Sequence, residues 1–256
     1  FLKNKIEFIS PQMIEGKVKA PEPEDVLEYV LKKFGFSSAL KNKKVLMTAG
    51  PTIEHIDPVR VITNQSTGKT GLSLASELIS AGAKVTLVYG PGEEKPPNGA
   101  KIINVLSSKE MLNAVKLELK KKFDIVIMTA AVADYIPTNP SKKKIKSSKD
   151  KIEISLKKAP KIIDQIKKFQ KNVLLVGFKA ETNLTKNQLI KSAQKKLKES
   201  SSDMIVANDI GSSRYKKNPQ NNQVIIVDTE KVAVSKWMNK QKIAKFIKKQ
   251  IEQKIK

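Results

Sequence analysis

The 256-residue sequence predicts an α/β fold, a doubly wound and mostly parallel sheet with a small antiparallel extension. Three observations predict it. Short apolar runs at 44–48 (KVLMT), 84–89 (KVTLVY) and 124–128 (DIVIM) read as strands buried in a parallel sheet. Between them lie amphipathic segments of about ten to fifteen residues, the alternation that builds strand–helix–strand units. Glycine and proline close these units, as at Gly50-Pro51 and Gly90-Pro91 after strands and Gly82 after a helix.

In chain order, residues 1–40 are expected to form an N-terminal arm or linker, and 41–256 the domain. The arm holds one expected helix at 21–33, opened by Pro21 and the acids Glu22, Glu24 and Asp25. In the domain, a helix is expected at 70–80, and another from the Ser107/Ser108 cap to about 122. Segment 137–151, with two prolines and six lysines, is expected to be an exposed, mobile loop. Segment 151–156 (KIEISL) alternates with period two and is expected to be a half-exposed strand. Helices near 160–169 and 186–199 then alternate with strands at 173–178 and 203–207. Segments 223–228 and 231–234 form an antiparallel pair, and apolar residues at 237, 238, 243, 244, 246, 247 and 251 give a closing helix its buried face.

Composition narrows the function. A net charge of +24 raises nucleic acid as a partner, yet Arg60 and Arg214 are the only arginines and aromatics are 5% of the chain. Base reading favours arginine and stacking favours aromatics, so no nucleic acid is expected, while anionic small molecules should be attracted. The longest apolar runs, such as 173–176 and 224–227, are far too short to span a bilayer, so no membrane is expected. There is no cysteine, hence no disulfide, zinc ribbon or thiol nucleophile, and a cytoplasmic enzyme is the simplest reading. The lack of an initiator methionine is taken to mark a fragment or processed product.

Ligands of open α/β sheets sit beyond the carboxyl ends of the strands. Those ends read 48–52 (TAGPT), 129–134 (TAAVAD), 177–183 (GFKAETN) and 207–209 (AND), small residues interleaved with hydrogen-bonding ones. Segment 64–70 (NQSTGKT) resembles a phosphate-binding loop, but Thr63 stands where its first glycine belongs and no strand leads directly into it. No GxGxxG follows the first strand either, which disfavours a nicotinamide-dependent oxidoreductase. What remains is Ser66, Thr67, Gly68 and Gly71 at a helix start, where free N–H groups and the helix dipole favour phosphate. Arg60 is an exception in a lysine-rich chain and suggests a site needing the guanidinium fork, with a structural salt bridge as the alternative. His55, the sole histidine, reads as solvated. Lysines 142–144 and 146 are placed to close over a triphosphate.

Residues 50–69 (GPTIEHIDPVRVITNQSTGK), 130–135 (AAVADY), 144–146 (KIK), 176–183 (VGFKAETN) and 203–209 (DMIVAND) together resemble the bacterial phosphopantothenoylcysteine synthetases. The matches run in family order across 41–256, and 16–25 resembles the tail of the decarboxylase usually fused before this ligase. The resemblance implies a Rossmann-like fold, a homodimer, and a ligase that joins 4′-phosphopantothenate to L-cysteine in coenzyme A biosynthesis. CTP is the implied co-substrate. The acid attacks its α-phosphate to give an acyl-cytidylate and pyrophosphate, and the cysteine amine then displaces CMP.

Carried onto matching positions, the resemblance makes Asn64 the holder of the acyl-cytidylate and Arg60 the support of that loop or of the substrate. Ser66 and Gly68 receive phosphates, and Gly50 belongs to the nucleotide site. Met128, Thr129, Ala130 and Phe178 shape the nucleotide pocket, and Asp134 binds nucleotide or its Mg²⁺. Lys144 is the loop lysine on the triphosphate, with Lys158, Ala159, Pro160, Lys161 and Lys196 completing the nucleotide site. The chain departs from the family pattern at His55, Thr67, Thr70, Ala159, Lys161 and Ser200, with Lys198 as a substitute for the lysine missing at Ser200. The decarboxylase body is absent, so no flavin is expected on this chain.

Overall fold

The computed structural model describes residues 38–147 and 150–255 throughout, and 11–14, 17–21, 23, 26, 29 and 30 ahead of them. Most of the expected arm helix at 21–33 lies outside the described residues. The arm contributes an antiparallel pair, β1 (Gln12–Ile14) and β2 (Lys17–Lys19). The chain continues through β3 (Lys44–Ala49), β4 (Ile53–His55), β5 (Val61–Thr63), α1 (Lys69–Ser80), β6 (Lys84–Tyr89), β7 (Lys101–Asn104), α2 (Ser108–Leu119) and β8 (Ile125–Met128). Next come β9 (Tyr135–Pro137), β10 (Leu156–Lys158), α3 (Ile163–Phe169), β11 (Leu174–Glu181), α4 (Lys186–Glu199) and β12 (Met204–Asp209). The last elements are α5 (Ser213–Lys217), β13 (Asn221–Asn222), β14 (Val224–Asp228), β15 (Val232–Val234), β16 (Met238–Asn239) and α6 (Lys240–Ile255).

Eight strands form the main sheet in the order β15-β14-β12-β11-β8-β3-β6-β7. From β12 to β7 every pairing is parallel, while β14 and β15 add the antiparallel extension. The chain starts at β3, moves outward through β6 and β7, then returns to the other side of β3 for β8, β11 and β12. Reversal of direction leaves a crevice between the carboxyl ends of β3 and β8, the switch point at which such sheets bind ligands.

Alternation along the strands sorts the core into layers. Val45 and Met47 of β3 pack with Leu72, Leu74 and Leu78 of α1 and Ile243 and Ile247 of α6 on one face. Leu46 of β3 and Val126 of β8 face Met111 and Val115 of α2 and Ile166 of α3 on the other. Ile205 and Ile225 carry that second layer on to Leu189 and Leu197 of α4. The expected N-cap is present, since the Ser107 side chain accepts from the Glu110 N–H at 3.2 Å.

Four expectations are corrected. Segment 151–156 is strand only at Leu156, in β10, and Ile152, Ile154 and Leu156 are all exposed by about two-fifths. Its period-two pattern lacks a covering layer, because β10 pairs with β9 away from the main sheet. The closing helix starts at Lys240 rather than 237, since Met238 and Asn239 are drawn into a pairing with β13. β11 runs on to Glu181, three residues past the expected end, because β12 pairs with it through Glu181 and Asp209. β7 was not expected, as its half-buried Ile102 and Ile103 are flanked by exposed Lys101 and Asn104.

Candidate active site at the carboxyl edge of the sheet

Two fully buried threonines join the strand ends that flank the crevice. The Thr48 carbonyl accepts from the Thr129 hydroxyl at 2.6 Å, and the Thr48 hydroxyl accepts from the Ala130 N–H at 3.3 Å. Further out, Ala131 N–H donates to the Gly50 carbonyl at 2.9 Å, and Thr52 N–H to the Ala131 carbonyl at 3.3 Å. The Thr52 hydroxyl accepts from the Ala133 N–H at 3.0 Å. Each bond satisfies a polar group that burial would otherwise penalise, and together they fix the loops after β3 and β8 as one seam.

Asn64 stands on that seam. Its side-chain Nδ2 donates to the carbonyls of Ala131 and Val132 at 3.3 and 3.1 Å. The amide is thereby oriented by two fixed acceptors, although the residue itself is exposed. Two residues on, the chain turns through Ser66-Thr67-Gly68 into α1. Gly68 adopts φ of +77°, where other side chains are strained, and a Cβ there would lie 3.3 Å from Gly50 Cα. Gly71, one turn into the helix, approaches β8 so closely that a Cβ would stand 2.3 Å from Thr129 Oγ1.

The start of α1 thus meets the seam with little between them. Gly68 offers no side-chain cap and no acid lies in the first turn. The Ser66 hydroxyl accepts from Gly68 N–H at 3.3 Å and Thr67 from Lys69 N–H at 3.4 Å, at the long end for hydrogen bonds. A helix start left this open is suited to an anion. Lys240, the first residue of α6, adds a further cation that the sequence reading missed. Burial, and then the nearby Lys69 charge, hold its pKa below the usual lysine value, with Glu94 opposing.

The other expected residues divide into groups. Gly50, Thr129 and Ala130 lie in the seam, and Met128 lies beneath it, buried with its sulfur 3.9 Å from Thr48 Oγ1. Phe178 is half-buried in β11, beyond β8. Asp134 follows the seam and pairs with Lys161, while its carbonyl accepts from buried Ala159 at 2.9 Å. Lys158 and Pro160 flank Ala159 and are exposed. Lys196 is turned toward α3, where its ammonium meets Asp164 at 2.9 Å. Ser200 is buried and donates to the Lys196 carbonyl at 2.7 Å, so this position closes α4. Lys198 is exposed two residues along the helix, about 200° around it, and cannot replace a lysine at 200.

Arg60 and Lys144 come together through a residue that the sequence reading passed over. Arg60 Nη1 bonds Asp57 at 2.6 Å and the Ile145 carbonyl at 3.1 Å. Lys144, beside Ile145, is exposed, as are Lys142, Lys143 and Lys146. The Asp57-Pro58-Val59-Arg60 turn was the available signal, since aspartate opens turns by accepting from the N–H groups that follow it. His55 is exposed, and its Nδ1 lies 3.3 Å from the Asp57 carbonyl oxygen. Among the described residues no group of three or more His, Cys, Asp or Glu side chains could hold a metal ion, and no helix is long and apolar enough to cross a membrane.

Known proteins are similar to this chain. The bifunctional coenzyme A biosynthesis protein CoaBC of Thermococcus kodakarensis is 39% identical over 248 residues, covering 96% of this chain and 60% of that protein. The protein of the same name from Methanocaldococcus jannaschii is 37% identical over 253 residues, covering 98% and 61%. The chain therefore spans about three-fifths of the length of these curated relatives. A crystal structure of the C-terminal domain of CoaBC superposes with a TM-score of 0.70 at 34% identity, covering 84% of this chain and 98% of that one. Residues 40–255 match the family described as the DNA/pantothenate metabolism flavoprotein C-terminal domain, and the chain belongs to that family.

Proposed function

We propose that the chain is a phosphopantothenate–cysteine ligase, joining 4′-phosphopantothenate to L-cysteine in coenzyme A biosynthesis by way of an acyl-nucleotidylate, with CTP as the activating nucleotide. The observation that carries this reading is Asn64, held by the Ala131 and Val132 carbonyls beside an uncapped helix start. A carboxylate is a poor electrophile, and attack on an α-phosphate turns it into a mixed anhydride with a good leaving group. Such chemistry asks the protein mainly to hold acid and phosphate in line, which suits a seam of buried hydrogen bonds.

In this reading Ser66 and Gly68, at the start of α1, receive phosphate, and Asn64 holds the acyl-nucleotidylate. Arg60, through its guanidinium, supports the loop or the substrate. Gly50, Met128, Thr129, Ala130 and Phe178 shape the nucleotide pocket, with Lys158, Ala159, Pro160, Lys161 and Lys196 at its border. Lys196 reaches a nucleotide only by exchanging Asp164 for phosphate. Lys144 lends its charge to the triphosphate. Mg²⁺ commonly uses one or two carboxylates together with substrate phosphates, and Asp134 fits that mode once Lys161 turns from it to the phosphates. The metal would supply charge neutralisation there.

The partner is proposed to be a second copy of the chain, supported by the exposed Tyr135, Ile152, Ile154 and Leu156 of the β9–β10 arm. No flavin is proposed on this chain, and a cytoplasmic location is part of the same reading. Pyrophosphate release with 4′-phosphopantothenate, L-cysteine and each of the four nucleoside triphosphates tests the function. Release should be fastest with CTP. Silence with all four would overturn the ligase, and equal rates with ATP would overturn the choice of CTP.

A further inference from the structure

We infer that Asp57 is a positioning residue that latches the lysine loop 141–147 through the backbone of Ile145 and so sets the affinity for the nucleotide's triphosphate. The inference rests on the ligase reading for the identity of that anion, and on geometry alone for the latch.

Asp57 is fully buried, and its two oxygens have separate duties. Oδ1 accepts from the N–H groups of Val59 at 2.8 Å and Arg60 at 2.7 Å, which folds the turn between β4 and β5. The Arg60 carbonyl also accepts from the N–H groups of Ile56 at 2.9 Å and Asp57 at 3.3 Å, which close the same turn. Oδ2 accepts from Arg60 Nη1 at 2.6 Å within the turn and, beyond it, from the Ile145 N–H at 3.0 Å, 88 residues away. Arg60 Nη1 completes the ring by donating to the Ile145 carbonyl at 3.1 Å. Ser141 N–H adds a bond to the Ile56 carbonyl at 2.8 Å. Both main-chain groups of Ile145 are therefore committed to the turn.

The placement matters because Ile145 sits between Lys144 and Lys146 in a run that repels itself. Four of the five residues 142–146 are lysines, all exposed, while Ile145 is half-buried. Without an anchor such a run gains by spreading into solvent. A fixed Ile145 confines the lysines on either side to one place, so their charge is delivered without an ordering cost at binding. A carboxylate is suited to the anchor. Burial would raise the Asp57 carboxyl pKa, but the N–H groups of Ile145, Val59 and Arg60 and the Arg60 side chain outweigh it and hold the pKa far below the usual range.

The division between the oxygens gives a clean test. Asp57→Asn keeps an acceptor at Oδ1 for the Val59 and Arg60 N–H groups and puts an NH₂ group where Oδ2 accepted, so it breaks the latch, together with the Arg60 ion pair, and leaves the main-chain bonds of the turn. Hydrogen–deuterium exchange of the whole chain should show residues 141–147 exchanging about tenfold faster in the variant, with β3 and β8 unchanged. The KM for CTP should rise about tenfold, as expected when the loop must be ordered at binding, while kcat changes less than about threefold. If Asp57→Asn does not fold, Ile145→Pro removes the donor from the other side and must loosen the same segment. An Ile145 amide that exchanges in the parent chain as freely as an unstructured one overturns the latch, as does equal protection in parent and variant. Faster exchange with unchanged KM overturns the link to nucleotide. Exchange needs no substrate, so an inactive parent chain would sink the ligase reading and leave the latch to be decided separately.

Discussion

The loops after β3 and β8 and the lysine-bearing stretch between β9 and β10 are held in opposite ways. The first pair is joined by buried threonine hydroxyls and main-chain bonds over every residue from 48 to 52 except 49 and 51, and Pro51 pairs with Ala131 as an isolated bridge. The second stretch is exposed along most of its length, and the turn that follows β4 grips it mainly at Ser141 and Ile145. A seam of that kind tolerates no displacement, which suits groups that align reacting atoms. A loop gripped at two points keeps its charge in one place while its lysine side chains stay free to adjust. Rigid alignment and latched charge are thus assigned to different segments.

Breaking each side separately should give unlike results. Asn64→Ala removes a side chain oriented by the seam and should lower turnover by about a hundredfold, with CTP affinity changed less than about threefold. Isothermal titration with CTP beside steady-state rates would check both, and unchanged turnover would remove Asn64 from the chemistry. Thr52→Val leaves the buried Ala133 N–H without its acceptor and should cost about 1–3 kcal/mol of stability, read by urea unfolding. Lys144→Gln, on the exposed loop, should leave stability within about 0.5 kcal/mol and raise the KM for CTP about tenfold.

A smaller effect sharpens the comparison by titration. Asp57 has every oxygen bonded, whereas Glu252 on α6 is buried with Oε1 lacking any hydrogen-bond partner. Burial raises the Glu252 carboxyl pKa, with Lys248 opposing, so its folded value lies above the ordinary glutamate value. Between those two values the folded state holds the extra proton, and Glu252 should add stability as pH falls. Glu252→Gln should therefore be at least as stable as the parent at pH 7, with its advantage shrinking on acidification. Asp57 carries the reverse sign: its contribution is present above the ordinary aspartate range and is lost only as pH falls toward its depressed folded value. Melts across pH compare the two.

The sequence made the layers readable because alternation and helical spacing report burial directly. Strands such as 44–48 and 84–89 and the Ser107 cap could be placed from neighbours alone. β7 and β10 could not, since a short edge strand and an uncovered one leave almost no burial pattern. In the site, Gly68 and Gly71 announced a close approach to the helix start, but the partner of Asn64 lies 67 residues on, beyond any spacing argument. Likewise Lys196 looked free for phosphate until α3 brought Asp164 against it. Asp57 was legible as a turn former and illegible as a latch, because its second oxygen works on a segment that only the folded chain brings near.

In the proposed reaction the carboxylate is activated at the strand edge before the amine arrives. Rapid-quench measurement of pyrophosphate with CTP and 4′-phosphopantothenate, cysteine withheld, tests that order. A burst approaching one pyrophosphate per site, followed by CMP release on adding cysteine, is the predicted result. If no pyrophosphate forms until cysteine is present, the acyl-nucleotidylate and the role given to Asn64 are both contradicted.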